Sequence, residues 1–138
     1  MLNVKKIDHV GIRVSEKDRS VAFYTDLGFE LLSDAGFEEG HPIIMRNEAG
    51  IVLNLLGPSN EDQNVNILMD VDKKYAGYTH MALRVESIDD AKAHFAKKGF
   101  PLTGEMRFGD LQMVFIRDPD RNVIEFNEYP DSDPHTRS

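Results

Sequence analysis

The sequence predicts an α+β protein made of two tandem βαβββ modules whose mixed sheets curl around a cleft. The first observation is a repeat, because "DHVGIRV" at residues 8–14 and "THMALRV" at residues 79–85 both carry a histidine in second place and an arginine four residues later. The second is that the spacing from His9 to His80 relates further pairs of residues along most of the chain without a gap. The third is that each copy begins with period-two alternation and continues with a helical stripe.

The repeat sets the expected domain boundaries. It relates Arg13 to Arg84, Gly28 to Gly99, Leu31 to Leu102, Arg46 to Arg117 and Val52 to Val123. We expect a first module at residues 1–56 and a second at 78–130. Residues 57–77, rich in Gly, Asn and Asp, are interpreted as a linker, and residues 131–138 as a disordered tail.

In the first copy, "IDHVGIRV" predicts a strand with His9 and Gly11 on one face and the apolar residues on the other. The apolar face requires a helix, which follows with Ser15 or Asp18 as its expected cap and Gly28 as its stop signal. Three further strands are predicted in "FELLSDAG", "PIIMRN" and "GIVLNLL".

The second copy repeats this order of elements. "HMALRV" predicts its first strand and Ile88–Lys98 its helix, which ends at Gly99. The strands "PLTGEM", "LQMVFIR" and "NVIEFNE" complete it, with a tight turn at "RDPDRN".

Composition excludes several classes of function. The chain of 138 residues has 16 basic and 24 acidic side chains and a net charge of −8, which disfavours nucleic acid and anionic membranes as partners. It has no cysteine, so disulfides, zinc ribbons and thiol nucleophiles are excluded. No signal peptide or apolar stretch of about 18 residues occurs, and we expect a cytoplasmic protein.

Three side chains are candidate metal ligands. His9 and His80 occupy equivalent first strands, beside the small residues Gly11 and Ala82. Glu125 faces away from the apolar Ile124 and Phe126 in the last strand. Two imidazoles and one carboxylate on separate strands predict a divalent metal site with open positions for substrate oxygens.

At these motifs the chain resembles the vicinal oxygen chelate superfamily, which includes glyoxalase I, extradiol dioxygenases and bleomycin-binding proteins. The resemblance rests on the paired modules, "DHVGIRV", "YTHMAL" and "DPDRNVIEF", and covers about residues 4–129. It implies the glyoxalase fold, with a metal held by His9, His80 and Glu125. Ni²⁺, Zn²⁺, Mn²⁺ and Fe²⁺ all suit such a set.

The fourth ligand position of the glyoxalase pattern is changed. The spacing of the repeat makes Asn54 the equivalent of Glu125, at a position where bacterial glyoxalase I is expected to have Glu. An amide is uncharged and takes no proton, so Glu125 is left as the ligating carboxylate that could act as base.

Two further residues are candidate substrate contacts besides Asn54. In the glyoxalase I family the motif "LRV" contains an arginine that binds a carboxylate of glutathione. The motif "IRV" of this chain resembles it, which makes Arg13 a candidate. Arg46, Arg84 and Arg117 are further candidate anion contacts, with surface salt bridges as the alternative interpretation. Tyr78 resembles a pocket tyrosine of the fosfomycin-resistance branch.

Three functions remain open. The first is a metal-dependent glyoxalase-like lyase or isomerase acting on a small substrate that chelates the metal through vicinal oxygens, such as a thiol conjugate. The second is an Fe(II) extradiol-type dioxygenase, and the third is a non-enzymatic antibiotic-binding protein. A symmetric homodimer is expected, with the site either within one chain or across the interface.

Overall fold

The computed structural model describes residues 1–60, 65–130 and 135, and the chain divides into two modules, Met1–Asn64 and Val65–Ser138. In its described part each module has the order β-α-β-β-β, so the predicted α+β class and the duplicated module are confirmed. The tail predicted at residues 131–138 lies outside the described residues, except for His135. Among the residues that the structure describes, neither helix has the length and apolar character that crossing a membrane requires.

The first module is a four-stranded mixed sheet with one helix. Its elements are β1 (Val10–Arg13), α1 (Lys17–Asp26), β2 (Phe29–Asp34), a 3₁₀ turn (Phe37–Glu39), β3 (Ile43–Asn47) and β4 (Val52–Leu56). The strands lie in the order β1-β4-β3-β2, with β1 parallel to β4 and the other pairs antiparallel.

The second module repeats this topology. Its elements are β5 (His80–Arg84), α2 (Ile88–Lys98), β6 (Gly104–Phe108), β7 (Leu111–Arg117) and β8 (Val123–Glu128). The strands lie in the order β5-β8-β7-β6, and β5 is parallel to β8.

The strand pairing within the first sheet has the same register as that within the second. Gly11 lies opposite Asn54 in the β1–β4 pair, and Ala82 lies opposite Glu125 in the β5–β8 pair. Both residues of the second pair follow those of the first by the spacing that separates the two candidate histidines. The sequence repeat is therefore a repeat of strand pairing as well as of motifs.

Alternation along the last strand of each module separates the core from the open face of the sheet. Leu53 and Leu55 are fully buried on either side of Asn54. Ile124 and Phe126 are likewise buried on either side of Glu125. Because side chains alternate across a strand, Asn54 and Glu125 point away from the core of their modules.

The predicted cap of the first helix is wrong. Neither Ser15 nor Asp18 is the N-cap, because Val14 still donates to the Leu56 carbonyl at 2.8 Å and the chain stays extended through Glu16, which precedes the helix. The Glu16 side chain makes no capping hydrogen bond. At the equivalent position of α2, Ser87 accepts a hydrogen bond from the Asp90 amide at 3.0 Å.

Two strands begin later than their sequence patterns predict. The ladder of β1 starts at Val10, which pairs with Leu53 of β4, so His9 lies just before the paired strand. In the second module β6 starts at Gly104, where its pairing with Phe115 of β7 begins.

Residues 65–77, part of the stretch interpreted as a linker, belong to the second module. Arg117 donates to both carboxylate oxygens of Asp70, at 2.8 and 2.9 Å, and Arg121 donates to Oδ2 at 3.1 and 3.2 Å. Arg117, and Arg121 after it, hold the pKa of Asp70 at about 2, below its ordinary 3.8. Arg117 therefore forms a salt bridge, as the alternative interpretation predicted, and residues 65–77 are held against the turn between β7 and β8 through Asp70.

Candidate metal and substrate site

The second module brings two of the three candidate ligands together. Nε2 of His80 lies 3.0 Å from Oε1 of Glu125. His80 begins β5 and Glu125 lies on the adjacent parallel strand β8, where Ala82 is its direct neighbour. The methyl group of Ala82 leaves room for both longer side chains on the open face of the sheet.

Burial distinguishes the two side chains. The Glu125 side chain is 13% exposed, whereas that of His80 is 35% exposed. A carboxylate so far removed from water is costly unless a positive charge or a hydrogen bond compensates it. Glu125 is therefore suited to a cation, and His80 lies where it can share that cation.

His80 is held from three sides. Its Nδ1 lies 2.8 Å from the Thr79 hydroxyl, and its Nε2 faces Glu125. The Phe115 ring lies edge-on to the imidazole, with 6.3 Å between ring centroids. These contacts fix the plane of the ring and direct Nε2 towards the carboxylate.

His9 belongs to the first module. Its side chain is 42% exposed, and Nδ1 lies 2.7 Å from Oδ2 of Asp8. The hydrogen bond to His9 lowers the pKa of the exposed Asp8 carboxyl below its ordinary value. Nδ1 is engaged in this contact, so Nε2 is the nitrogen left for a metal.

Asn54 and Arg13 lie on neighbouring strands of the first sheet. Asn54 is half-buried opposite Gly11. Arg13 ends β1 opposite Leu56 and is exposed. Their position is compatible with the predicted contacts to a substrate.

The candidate residues of the second module differ in their surroundings. Tyr78, two residues before His80, is 98% exposed. Arg84 lies over the Tyr129 ring, 4.1 Å from its centroid, and its Nη2 donates to Nδ1 of His135 at 2.8 Å. The guanidinium of Arg84 thus contacts both the Tyr129 ring and the His135 imidazole.

Asn127 is a candidate that the sequence reasoning missed. It lies two residues after Glu125 on β8 and so shares its face of the sheet. It is 8% exposed, and among the described residues its buried Oδ1 has no hydrogen-bond partner. An acceptor without a partner at such depth is unusual and suits a donor from a ligand. The amide two residues after Glu125 in "NVIEFNE" was the available signal.

The donor atoms of the second module fit a divalent metal. In an octahedral site with ligand atoms about 2.1 Å from the metal, two neighbouring ligands are separated by about 3.0 Å, whereas the tetrahedral geometry usual for Zn²⁺ gives about 3.4 Å. The measured separation between His80 Nε2 and Glu125 Oε1 is 3.0 Å. Among the residues that the structure describes, no group of three His, Asp or Glu side chains is arranged so that it could hold a metal ion.

Paired βαβββ modules with an imidazole and a carboxylate on an open sheet face are typical of a class of proteins that bind small molecules. Residues 6–126 match the Glyoxalase/Bleomycin resistance protein/Dioxygenase superfamily, and the chain belongs to that superfamily. The resemblance inferred from the sequence is thereby confirmed.

Relatives and a solved structure agree with this assignment. A probable lactoylglutathione lyase of Synechocystis sp. is 31% identical over 127 residues, which cover 85% of this chain and 90% of the relative. A lactoylglutathione lyase of Escherichia coli O157:H7 is 29% identical over 132 residues, covering 90% and 93%. A glyoxylase/bleomycin resistance protein/dioxygenase domain from Frankia sp. has the same fold, with a TM-score of 0.77 at 18% identity, covering 93% of this chain and 100% of that domain.

Proposed function

We propose that this protein is a metal-dependent lyase or isomerase of the glyoxalase type. Its substrate is a small molecule that presents two vicinal oxygens, such as the hemithioacetal formed by an α-oxoaldehyde and a thiol. His9, His80 and Glu125 are the proposed metal ligands, and the metal is Ni²⁺, Zn²⁺, Mn²⁺ or Fe²⁺.

One observation carries the proposal. Glu125, with a side chain only 13% exposed, lies 3.0 Å from Nε2 of His80. Two lone pairs at that distance repel each other unless a proton or a cation lies between them. Relatives named lactoylglutathione lyase support the choice of reaction.

A bound divalent cation would polarise the substrate oxygens and so acidify the adjacent C–H bond. Glu125 is the proposed general base, which takes the proton from one carbon and returns it to the neighbouring carbon. Its carboxylate has to be unprotonated at the start of the reaction. Asn54 stands at the equivalent position of the first module and, as an amide, takes no proton.

The substrate ends are assigned to polar residues around this centre. Arg13 is exposed and positively charged, which supports a role in binding a carboxylate of the thiol moiety. Asn127 Oδ1 is a buried acceptor on the face of Glu125 and suits a substrate N–H or O–H group. Asn54 and Tyr78 are proposed as further contacts.

The decisive experiment combines metal analysis with an isomerisation assay. Wild-type protein is stripped with a chelator, reloaded separately with each of the four metals, and assayed with the hemithioacetal of methylglyoxal and glutathione. We expect activity only after reloading. Glu125→Gln is expected to lower kcat by about 10²–10⁴-fold, the usual contribution of a positioned base.

Matched controls come from the same modules. Glu86→Gln and His41→Ala change exposed residues outside the candidate site and are expected to retain metal and activity. Equal metal content in wild type, His80→Ala and Glu125→Gln would contradict the proposal. Consumption of dioxygen by the iron-loaded protein with catechol, without isomerisation, would instead assign a dioxygenase.

A further inference from the structure

The residue before each candidate histidine bonds to the same ring nitrogen. Asp8 Oδ2 lies 2.7 Å from Nδ1 of His9, and Thr79 Oγ1 lies 2.8 Å from Nδ1 of His80. Asp8 and Thr79 are themselves equivalent positions of the sequence repeat. Both modules therefore support their imidazole in the same way, but with different chemical groups.

The two supporting groups differ in what they can do. An ionised carboxylate only accepts hydrogen bonds, so a neutral His9 has to carry its proton on Nδ1 to bond with Asp8. A hydroxyl both donates and accepts, so Thr79 can bond to either tautomer of His80. Asp8 thus fixes the tautomer of His9, whereas the tautomer of His80 depends on the group that contacts its Nε2.

The group that contacts Nε2 of His80 is Glu125. Nε2 of His80 lies 3.0 Å from Oε1 of Glu125. For a neutral imidazole, the Nε2–H tautomer is therefore favoured over the Nδ1–H tautomer, because its proton lies between the two atoms. Nδ1 of His80 then accepts a hydrogen bond from the Thr79 hydroxyl. In this arrangement both ring nitrogens of His80 take part in a hydrogen bond.

We propose that the equivalent histidines hold opposite tautomers in the metal-free protein, with His9 fixed by Asp8 as the Nδ1–H form and His80 held as the Nε2–H form by Glu125 and Thr79. Asp8 and Thr79 are positioning residues for the two imidazoles. The consequence for metal binding rests on the proposed function, whereas the tautomers themselves do not.

Metal binding would then require different changes at the two rings. His9 presents a free Nε2 lone pair without rearrangement. His80 gives up the Nε2 proton to solvent and takes one from solvent on Nδ1, so its net proton count is unchanged. The Thr79 hydroxyl turns from donor to acceptor, and Glu125 exchanges its contact with Nε2–H for the cation.

The first measurement is the ¹⁵N spectrum of the imidazoles in metal-free protein at about pH 8.5, above the ordinary pKa of histidine. Cross-peaks between ring nitrogens and ring protons identify each tautomer, and His9→Gln and His80→Gln variants assign the signals. We expect the Nδ1–H pattern for His9 and the Nε2–H pattern for His80. The same tautomer at both positions would overturn the proposal, whether or not the protein binds metal.

Titration with Zn²⁺, which is diamagnetic, is the second measurement. His80 is expected to change to the Nδ1–H form while His9 keeps its pattern. If neither Zn²⁺ nor Ni²⁺, Mn²⁺ or Fe²⁺ binds, the proposed function fails, while the tautomer assignment still stands or falls on the metal-free spectrum.

Thr79 has a matched pair of variants. Thr79→Ser retains the hydroxyl and should retain both the tautomer change and wild-type Zn²⁺ affinity. Thr79→Val leaves Nδ1–H of the metal-bound ring without an acceptor and should weaken Zn²⁺ binding by about 10–100-fold, measured by competition with a chromophoric chelator. Equal affinity of the Val and Ser variants, both with wild-type melting curves, would contradict a positioning role for Thr79.

The proposed effect of Asp8 on the tautomer of His9 is tested with Asp8→Asn. Its amide can present either an oxygen or an NH₂ group, so the metal-free His9 signal should change from one tautomer to a mixture, while His80 is unaffected. An unaltered His9 signal would show that Asp8 does not set the tautomer.

Discussion

Asn54 lies opposite Gly11 in the first sheet at the position that Glu125 takes opposite Ala82 in the second. The duplicated scaffold thus presents an amide in one module and a carboxylate in the other. Asn54→Glu would restore the acidic residue expected at this place in glyoxalase I. We expect it to tighten Zn²⁺ binding by about tenfold or more, because a second carboxylate adds charge to the ligand set.

Asn54→Gln is the control for side-chain length, since it adds the same methylene group without a charge. Its Zn²⁺ affinity, measured by chelator competition, should stay close to that of the wild type. An equal gain in both variants would assign the effect to reach rather than to charge.

The helix caps offer a prediction that uses the repeat in both directions. Ser87→Ala removes the hydrogen bond to the Asp90 amide and should lower the free energy of unfolding by about 1 kcal/mol. Glu16→Ser introduces a capping hydroxyl at the equivalent position of α1 and should raise it by about 0.5–1 kcal/mol. Urea denaturation measures both changes, and a loss of stability in Glu16→Ser would contradict this account of the first helix.

The Asp70 contacts predict a dependence of stability on acid. Because the pKa of Asp70 is lowered from 3.8 to about 2 in the folded protein, its contribution is complete above about pH 4 and is lost as the pH falls towards 2. Asp70 keeps some contact with water, so we expect about 1–2 kcal/mol rather than the full linkage value.

Asp70→Asn should therefore lower the unfolding free energy at pH 7 and reduce the loss of stability between about pH 4 and pH 2. Asp72→Asn, two residues along the same exposed segment, is the matched control and should behave as the wild type does. Parallel stability curves for wild type and Asp70→Asn across that range would show that the two arginines contribute no proton-linked stability.

Gly57 has no room for a side chain. A Cβ at this position would overlap the Phe37 ring and lie 2.6 Å from the Val14 carbonyl oxygen, and Phe37 is only 2% exposed. Gly57→Ala should destabilise the protein by about 1–3 kcal/mol, as overpacking of a core usually does. Gly11→Ala is the control, because its Cβ would meet Leu56 at an ordinary 3.5 Å. Equal melting temperatures of the two variants would contradict this prediction.

Complementation between inactive variants tests where the proposed site is assembled. If the site joins the first module of one chain to the second module of another, mixing His9→Ala with Glu125→Gln creates heterodimers with one intact site. Random exchange of subunits should then restore about a quarter of the wild-type activity. His80→Ala mixed with Glu125→Gln is the control and should restore nothing, since both changes lie in the second module. Failure of the first mixture despite proven exchange would place the site within one chain.

Much of the fold follows from local patterns. Period-two alternation around Glu125 and the helical stripe that ends at Gly99 depend on neighbours in the chain, so these elements were predicted correctly. The start of β6 and the N-cap of α1 were predicted wrongly. Pairing with a neighbouring strand decides where β6 begins and where the extended segment before α1 ends. Asn127 was not predicted either, since the lack of a partner for its Oδ1 among the described residues is a consequence of burial.

The sequence by itself determined the duplication, the order of strands and helices, and the three side chains proposed as ligands, because a repeat at one constant spacing and the alternation of apolar residues are properties of the chain alone. Only the tertiary structure decided that His80 and Glu125 lie 3.0 Å apart, and that Asp8 and Thr79 bond to the neighbouring imidazoles. The physical reason is that strand register and rotamer choice depend on packing between segments far apart in sequence, which no local pattern records.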